Sequence, residues 1–251
     1  MGKMKEDEVC KLVRERLEHV DLIFNLRHQF NNPALIQYVG ERGWTHPWRY
    51  FDALMYYLLF TCFDLLGQPS EWVSFSEWLE SNNKATERHA VAADIQPNAD
   101  PVAIARHFNS KYQSIYSLKT SFYNFLLKIL TEGERDEFCS SIKIVRAVKG
   151  GDMNISYPVL GEINDNMEKF KFAFNLRNKF THRAVIMGSP IAGIFPKAYD
   201  FLEINGVRRK GYVEIHRKAR NDEWLIFEVR DWPFVLKRLI EAALSRRQSA
   251  L

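Results

Sequence analysis

Arg177, Asn178 and His182 stand close together in FNLRNKFTHR, residues 174–183. Histidine titrates near neutral pH, so it can take a proton from a hydroxyl or give one to a leaving oxygen. Arginine stays charged and forks two parallel N–H groups onto phosphate oxygens. An asparagine beside them can orient either group or the phosphate. Together they offer a base for a hydroxyl and a cation for charge that develops on a phosphate, with no metal ion needed. A near copy, FNLRHQFNNP at residues 24–33, repeats Phe-Asn-Leu-Arg but carries Asn32 where the second copy has His182. Its flanks do not match. The shared letters read as one packing role, Phe and Leu inward with Arg at a helix end, rather than as a duplication.

The stretch resembles the motif of the HEPN superfamily, helical-bundle proteins that include many RNA-cleaving toxins and defence proteins. That motif is Arg, four to six residues, then His, with Asn, Asp or His often following the Arg. RNKFTH supplies Arg177, Asn178 and His182 at the short end of this spacing, near the end of a long late helix. The resemblance covers these six residues and the general helical character. It implies a metal-independent endoribonuclease with Arg177, His182 and Asn178 as catalytic residues. It also implies RNA as substrate, a homodimer as the working unit, a toxin or defence role, and an antitoxin or regulatory protein as a partner. Spacing alone does not select the pair, since Arg14–His19 and Arg209–His216 satisfy it too. In the first, Glu15 follows the Arg in place of Asn, Asp or His, and the second falls in an expected hairpin.

A second reading stands beside the first. Arg and His in the last turn of a helix meet the negative end of its dipole, and Asn178 then belongs to a polar surface row. The protein is in that case a non-catalytic HEPN-like module that binds RNA or another protein. Geometry matters to the choice. Five residues along a regular helix turn the side chain by about 140°. Arg177 and His182 converge only if the helix loosens near Thr181, if Arg177 reaches around, or if a two-fold dimer brings two pairs together. Lys179 and Arg183 beside the motif, with Arg209 and Lys210 in the basic row at 208–210, are the cations expected to grip an RNA backbone. The alternative for that row and for HRKAR at 216–220 is a solvated hairpin face.

Composition sets the frame. The 251 residues are 46% hydrophobic and 26% charged, with a formal net charge of +4, which permits a nucleic-acid partner without requiring one. No H-E-x-x-H, phosphate-binding Gly-rich loop or G-x-S-x-G elbow occurs, and no two of the seven histidines fall at i, i+4, so neither a metal nor a cofactor is expected. Cys10, Cys62 and Cys139 are isolated, which fits a reducing cytoplasm. MGKMKEDEVC is not expected to be a signal peptide. The most apolar run, YFDALMYYLLFTCFDLLG, contains Asp52 and Asp64 and reads as a buried helix rather than a membrane span. The tryptophans lie mostly in apolar periodic runs and are expected in the core.

The elements that must position the motif follow from periodicity. Residues 6–30 read as a helix, with Val9, Leu12, Val13, Leu17, Val20, Ile23 and Phe24 on one face. A loop is expected over 31–45, then a helix from Pro47 to Leu66 with Gly67 as its stop signal. Ser74 and Glu77 form a capping box for a short helix. Residues 81–100 are polar and read either as one helix or as a loop. Helix resumes at Pro101 and runs, with a break, to Leu130. Thr131 and Glu134 open a helix expected to reach Val148. The next is expected from Leu160 to Arg183, with Ile163, Met167, Phe170 and Phe174 as its apolar stripe. AYDFLEI, GYVEIHRK and EWLIFEV, separated by NG and ND, read as a three-stranded antiparallel meander over about 198–230. Asp231 and Pro233 open a last helix with Leu236, Leu239, Ile240 and Leu244 inward. The expectation is one mainly α domain spanning 1–251, an HEPN-like bundle with a small late β-meander and a C-terminal helix.

Overall fold

The computed structural model describes residues 6–29, 48–69, 72–148, 159–183, 202–204, 207–209, 213–218, 223–230 and 232–249. The expected loop at 31–45 and the cap at Asp231 lie outside them. Helix α1, Glu6–Gln29, packs along α2, Trp48–Gly67. On α1, Val9, Val13, Leu17 and Val20 are buried at helical spacing while Glu15 and Glu18 face out. α2 is the central rod. Met55, Tyr56, Leu59, Phe60, Cys62, Phe63 and Leu66 are all buried, because neighbours lie around most of its circumference. Among the described residues no helix is long and apolar enough to cross a membrane.

After α2 come α3, Phe75–Glu80, a 3₁₀ turn, Asn82–Lys84, and α4, Ala85–Ala93. Ser74 Oγ accepts the Glu77 N–H, as the capping signal expects. The polar segment thus holds a helix. Next are α5, Pro101–Tyr116, capped by Asp100, and α6, Leu118–Asn124. α6 runs into a wider π turn, Phe125–Ile129, closed by a Leu130 N–H to Phe125 carbonyl bond of 3.0 Å. The expected break falls at Ser117.

Two helix ends are corrected by the structure. The Thr131–Glu134 capping box is present, and α7 runs from Glu132 to Ser140. It does not continue to Val148, because Ile142–Val148 forms strand β1. Ile142 and Ile144 enter the main core, while Val145 and Ala147 join Ile226 on the opposite face. That alternation is the strand period, hidden by apolar residues on both faces. Likewise Val159–Ile163 forms β2, and helix α8 covers Asn166–Arg183 rather than starting at Leu160. Asp165 is the overlooked cap: its Oδ1 accepts the N–H groups of Met167 and Glu168 at 2.8 and 3.3 Å. Ile163 therefore belongs to a strand, and Met167 is exposed rather than part of the helix stripe.

The late region is antiparallel as expected, but its pairing is wider than a three-stranded meander. β3, Leu202–Ile204, pairs with β4, Val207–Arg209, in a two-stranded ladder of its own. β5, Val213–Lys218, and β6, Glu223–Val229, join β1 and β2 in a four-stranded sheet ordered β2-β1-β6-β5. Ile142 sits opposite Val229, and Lys218 opposite Trp224. The chain ends in α9, Phe234–Ser249, with Leu236, Leu239, Ile240 and Leu244 buried. The fold is mainly α. One large apolar cluster joins α1, α2, α6, α7, α8, α9 and the inner sheet face, and Trp232 meets the rings of Phe60, Phe138 and Phe172.

Gly67 does more than stop α2. A Cβ built there would lie 2.0 Å from the Ser121 carbonyl oxygen and 2.8 Å from the Phe125 nitrogen. Both are backbone atoms of the α6 segment, so the helices touch where only glycine fits. Its backbone does not take a left-handed φ, so close approach, not turn geometry, requires the residue. Gly67→Ala is expected to destabilise the protein by about 3 kcal/mol, the upper end for overpacking. Urea unfolding would measure it, and an unchanged midpoint would refute the close packing.

Candidate functional site

α8 presents Phe170, Ala173 and Leu176 to the core. Arg177 lies seven residues after Phe170, so helical periodicity places it on that same inward stripe. Asp64 lies four residues after Phe60 on α2 and is likewise turned inward. The two meet. Arg177 Nε and Nη2 both donate to Asp64 Oδ2, at 3.1 and 2.6 Å. Arg177 Nη1 donates to Asn178 Oδ1 at 3.1 Å. The side chains of Arg177 and Asp64 are only 4% and 5% exposed. The guanidinium is thus held in place from two sides within the protein.

Arg16 adds a second cation from α1. Its Nη1 donates to the Thr61 carbonyl at 2.9 Å, one turn before Asp64, and its charge acts on both Asp64 and Cys62. Burial pushes the Asp64 carboxyl up to about 6, against the opposing pull of Arg177 and then Arg16. The acid remains ionised at neutral pH. Its Oδ1 is buried and has no hydrogen-bond partner among the described residues. Burial pushes the Cys62 thiol up to about 12, with Arg16 opposing. That thiol is not a nucleophile at neutral pH.

Arg177 therefore sits neither in an open cleft nor at a solvated helix end. Asn178 is half-buried and completes the clasp on the guanidinium, and Lys179 beside it is half-buried too. α8 stays helical through Thr181 to Arg183. His182 is then about 7.5 Å further along the axis than Arg177 and about 140° around it, so the helix does not loosen to bring the pair together. The side chains of His182 and Arg183 lie outside the described residues. Arg209 is paired with Leu202 in β4, its side chain and all of Lys210 again outside the described residues. Of the other spacing matches, Arg14 and His19 are exposed on α1.

Sequence reasoning missed Asp64 and Arg16 as members of this constellation. The available signal was a carboxylate inside an apolar helix together with an arginine on an apolar stripe, each of which needs a buried counter-charge. Among the described residues no three His, Cys, Asp or Glu side chains cluster as metal ligands do. Comparison of the chain with known protein families, with curated proteins and with solved structures gives no match.

Two outcomes follow from the pair. Asp64→Leu removes the carboxylate on which Arg177 Nε and Nη2 converge and is expected to cost about 3–5 kcal/mol, while Asp64→Leu with Arg177→Met recovers most of the loss. Equilibrium unfolding of the three variants checks this, and an additive double mutant would refute it. The second outcome concerns pH. The folded carboxyl titrates at about 6 and its ordinary value is 3.8, so the native state binds the extra proton between these limits. Stability relative to Asp64→Asn therefore falls as pH rises from about 4 through about 6, then stays level. A wild type that gains on the variant over that range would contradict the burial.

Proposed function

We propose that this protein is a metal-independent endoribonuclease of the HEPN type, acting in the cytoplasm as a toxin or defence protein. The observation that carries the reading is the anchored arginine. Asp64 and Asn178 fix the Arg177 guanidinium about one and a half turns before His182 on an unbroken helix. In this reading His182 takes the proton from a ribose 2′-hydroxyl. The 2′-oxygen then bonds to phosphorus as the P–O5′ bond breaks and the departing 5′-oxygen takes a proton from water, leaving a 2′,3′-cyclic phosphate and a 5′-hydroxyl. Arg177 supplies positive charge close to the phosphate, and Lys179 and Arg183 hold the strand on either side.

Because the helix sends Arg177 and His182 to different faces, the site is proposed to be completed by a second copy across a two-fold axis. A second reading, the non-catalytic module binding RNA or an antitoxin-like protein, draws on a specific observation. An arginine 4% exposed belongs to the core first and to any ligand only after a rearrangement.

His182→Ala separates the two. RNA incubated in EDTA is expected to be cut by the wild type and DNA spared. The variant is expected to lose about 10²–10⁴ in rate with its melting temperature unchanged. Arg177→Lys is expected to lose activity and stability together, since an ammonium cannot fork onto Asp64. Undiminished cleavage by His182→Ala would overturn the catalytic reading. Light scattering at micromolar concentration is expected to give twice the chain mass, and a monomer there would overturn the two-fold site.

A further inference from the structure

We infer that Arg16 is a positioning residue for Arg177: it takes Asp64 through the unused Oδ1 when Arg177 turns from Asp64 to a phosphate. The first observation is the lopsided carboxylate. Both Arg177 donors converge on Oδ2, and Oδ1 is buried without a hydrogen-bond partner among the described residues. A buried carboxylate oxygen left bare is uncommon and costly. It is a place for one more donor.

The second observation is that donor. Arg16 is half-buried on α1, and its Nη1 donates to the Thr61 carbonyl at 2.9 Å. A helix carbonyl points along the axis toward the N–H four residues on. The Thr61 oxygen therefore lies at the level of Asp64, and residues three apart share one side of a helix. A guanidinium carries five N–H groups. Arg16 makes only this one bond with the described residues, and no ion pair. Its charge already reaches the carboxyl: against the burial that raises it, Arg16 pulls the same way as Arg177. Asp64 thus lies between a cation from α8 that holds it and a cation from α1 with donors to spare.

The exchange answers a difficulty of the site. Arg177 is only 4% exposed. Turning it to a phosphate breaks two charge-assisted bonds, and Asp64 would then be a buried charge with no counter-ion, which is strongly unfavourable. Passing the carboxylate to Arg16 offsets that penalty. The resting clasp and the phosphate-bound state then differ in which arginine Asp64 holds. The phosphate half of this inference rests on the ribonuclease reading, whereas the exchange of partners does not.

Urea unfolding of full-chain variants tests the exchange without RNA. Arg177→Met leaves Asp64 to Arg16, and Arg16→Met leaves it to Arg177. The two together leave it to neither, so their combined loss of stability is expected to exceed the sum of the single losses. Arg16→Lys in the Arg177→Met background is expected to keep most of that excess from appearing, because an ammonium can meet a single oxygen. A double variant equal to the sum overturns the exchange. If the double variant does not fold, the crystal structure of Arg177→Met decides. Arg16 within hydrogen-bond distance of Asp64 Oδ1 supports the exchange, and Arg16 on the Thr61 carbonyl alone overturns it. The phosphate half is read by calorimetry with a short 2′-O-methyl RNA strand, which has no free 2′-hydroxyl and is not cut. Arg16→Met is expected to weaken its binding about tenfold, the scale of coupling within one charge network. Lys11→Met, an equal charge change at an exposed place on α1, is expected to stay close to wild type. Equal weakening by both variants, or no binding of the strand, overturns the turn to phosphate. An inactive enzyme whose unfolding still shows the excess loss separates failure of the ribonuclease reading from failure of the exchange.

Discussion

A carboxylate and a guanidinium, both withdrawn from water, link the central helix to the helix that bears the motif. Such a pair adds little net stability compared with two well-packed apolar side chains, because desolvation cancels most of the attraction. What it does impose is registry. Phe170, Ala173 and Leu176 would tolerate a sliding contact with α2. Two N–H groups converging on one oxygen do not. The position of α8 along α2, and with it the point in space where the helix ends, is set by this contact. Asn178 then limits the guanidinium to one orientation.

The same contact shows where local reading of the chain succeeds and fails. Periodicity located α1 and α2 well, because each has one strongly apolar face and a polar or buried complement that stays in phase over several turns. It also made Asp64 visible as an anomaly in an apolar run. It did not reveal the partner, which lies 113 residues away. Pairing over such a separation is decided by packing. The strand at Ile142–Val148 was missed because both of its faces meet other groups, so the two-residue alternation is not marked by polar residues. The start of α8 was misplaced for a different reason: Asp165 has the right chemistry to cap, but the apolar residues before it also fit a helical stripe. The hairpin signals NG and ND found strands, yet could not say that β5 and β6 pair onward to β1. The motif residues were legible by type and spacing, whereas the burial of Arg177 emerged only from the stripe it shares with Phe170.

Helix geometry also constrains any chemistry. A regular α8 spreads Arg177 and His182 around its circumference, and the anchoring of Arg177 removes the freedom that a long side chain would otherwise use to close the gap. The sheet reinforces this rigidity. Phe172 stacks on Phe227 with centroids 4.6 Å apart, and Lys169 donates to the Cys139 carbonyl at the end of α7. α8 is therefore pinned to sheet, α7 and α2 along its N-terminal and middle turns.

The helices α3 to α5 stand apart from this arrangement. Trp78, Val91, Tyr112 and Tyr116 form a cluster distinct from the main one. Glu87 ties it together, accepting from Trp78, Lys84 and Tyr116, while Arg88 reaches the carbonyls of Trp78 and Ser81. Among the described residues its ties to the bundle run mainly through α6. A unit with its own nucleus and a narrow connection is a foldon. Its amides are expected to exchange with solvent through openings that leave the central helices protected, giving two levels of cooperativity rather than one.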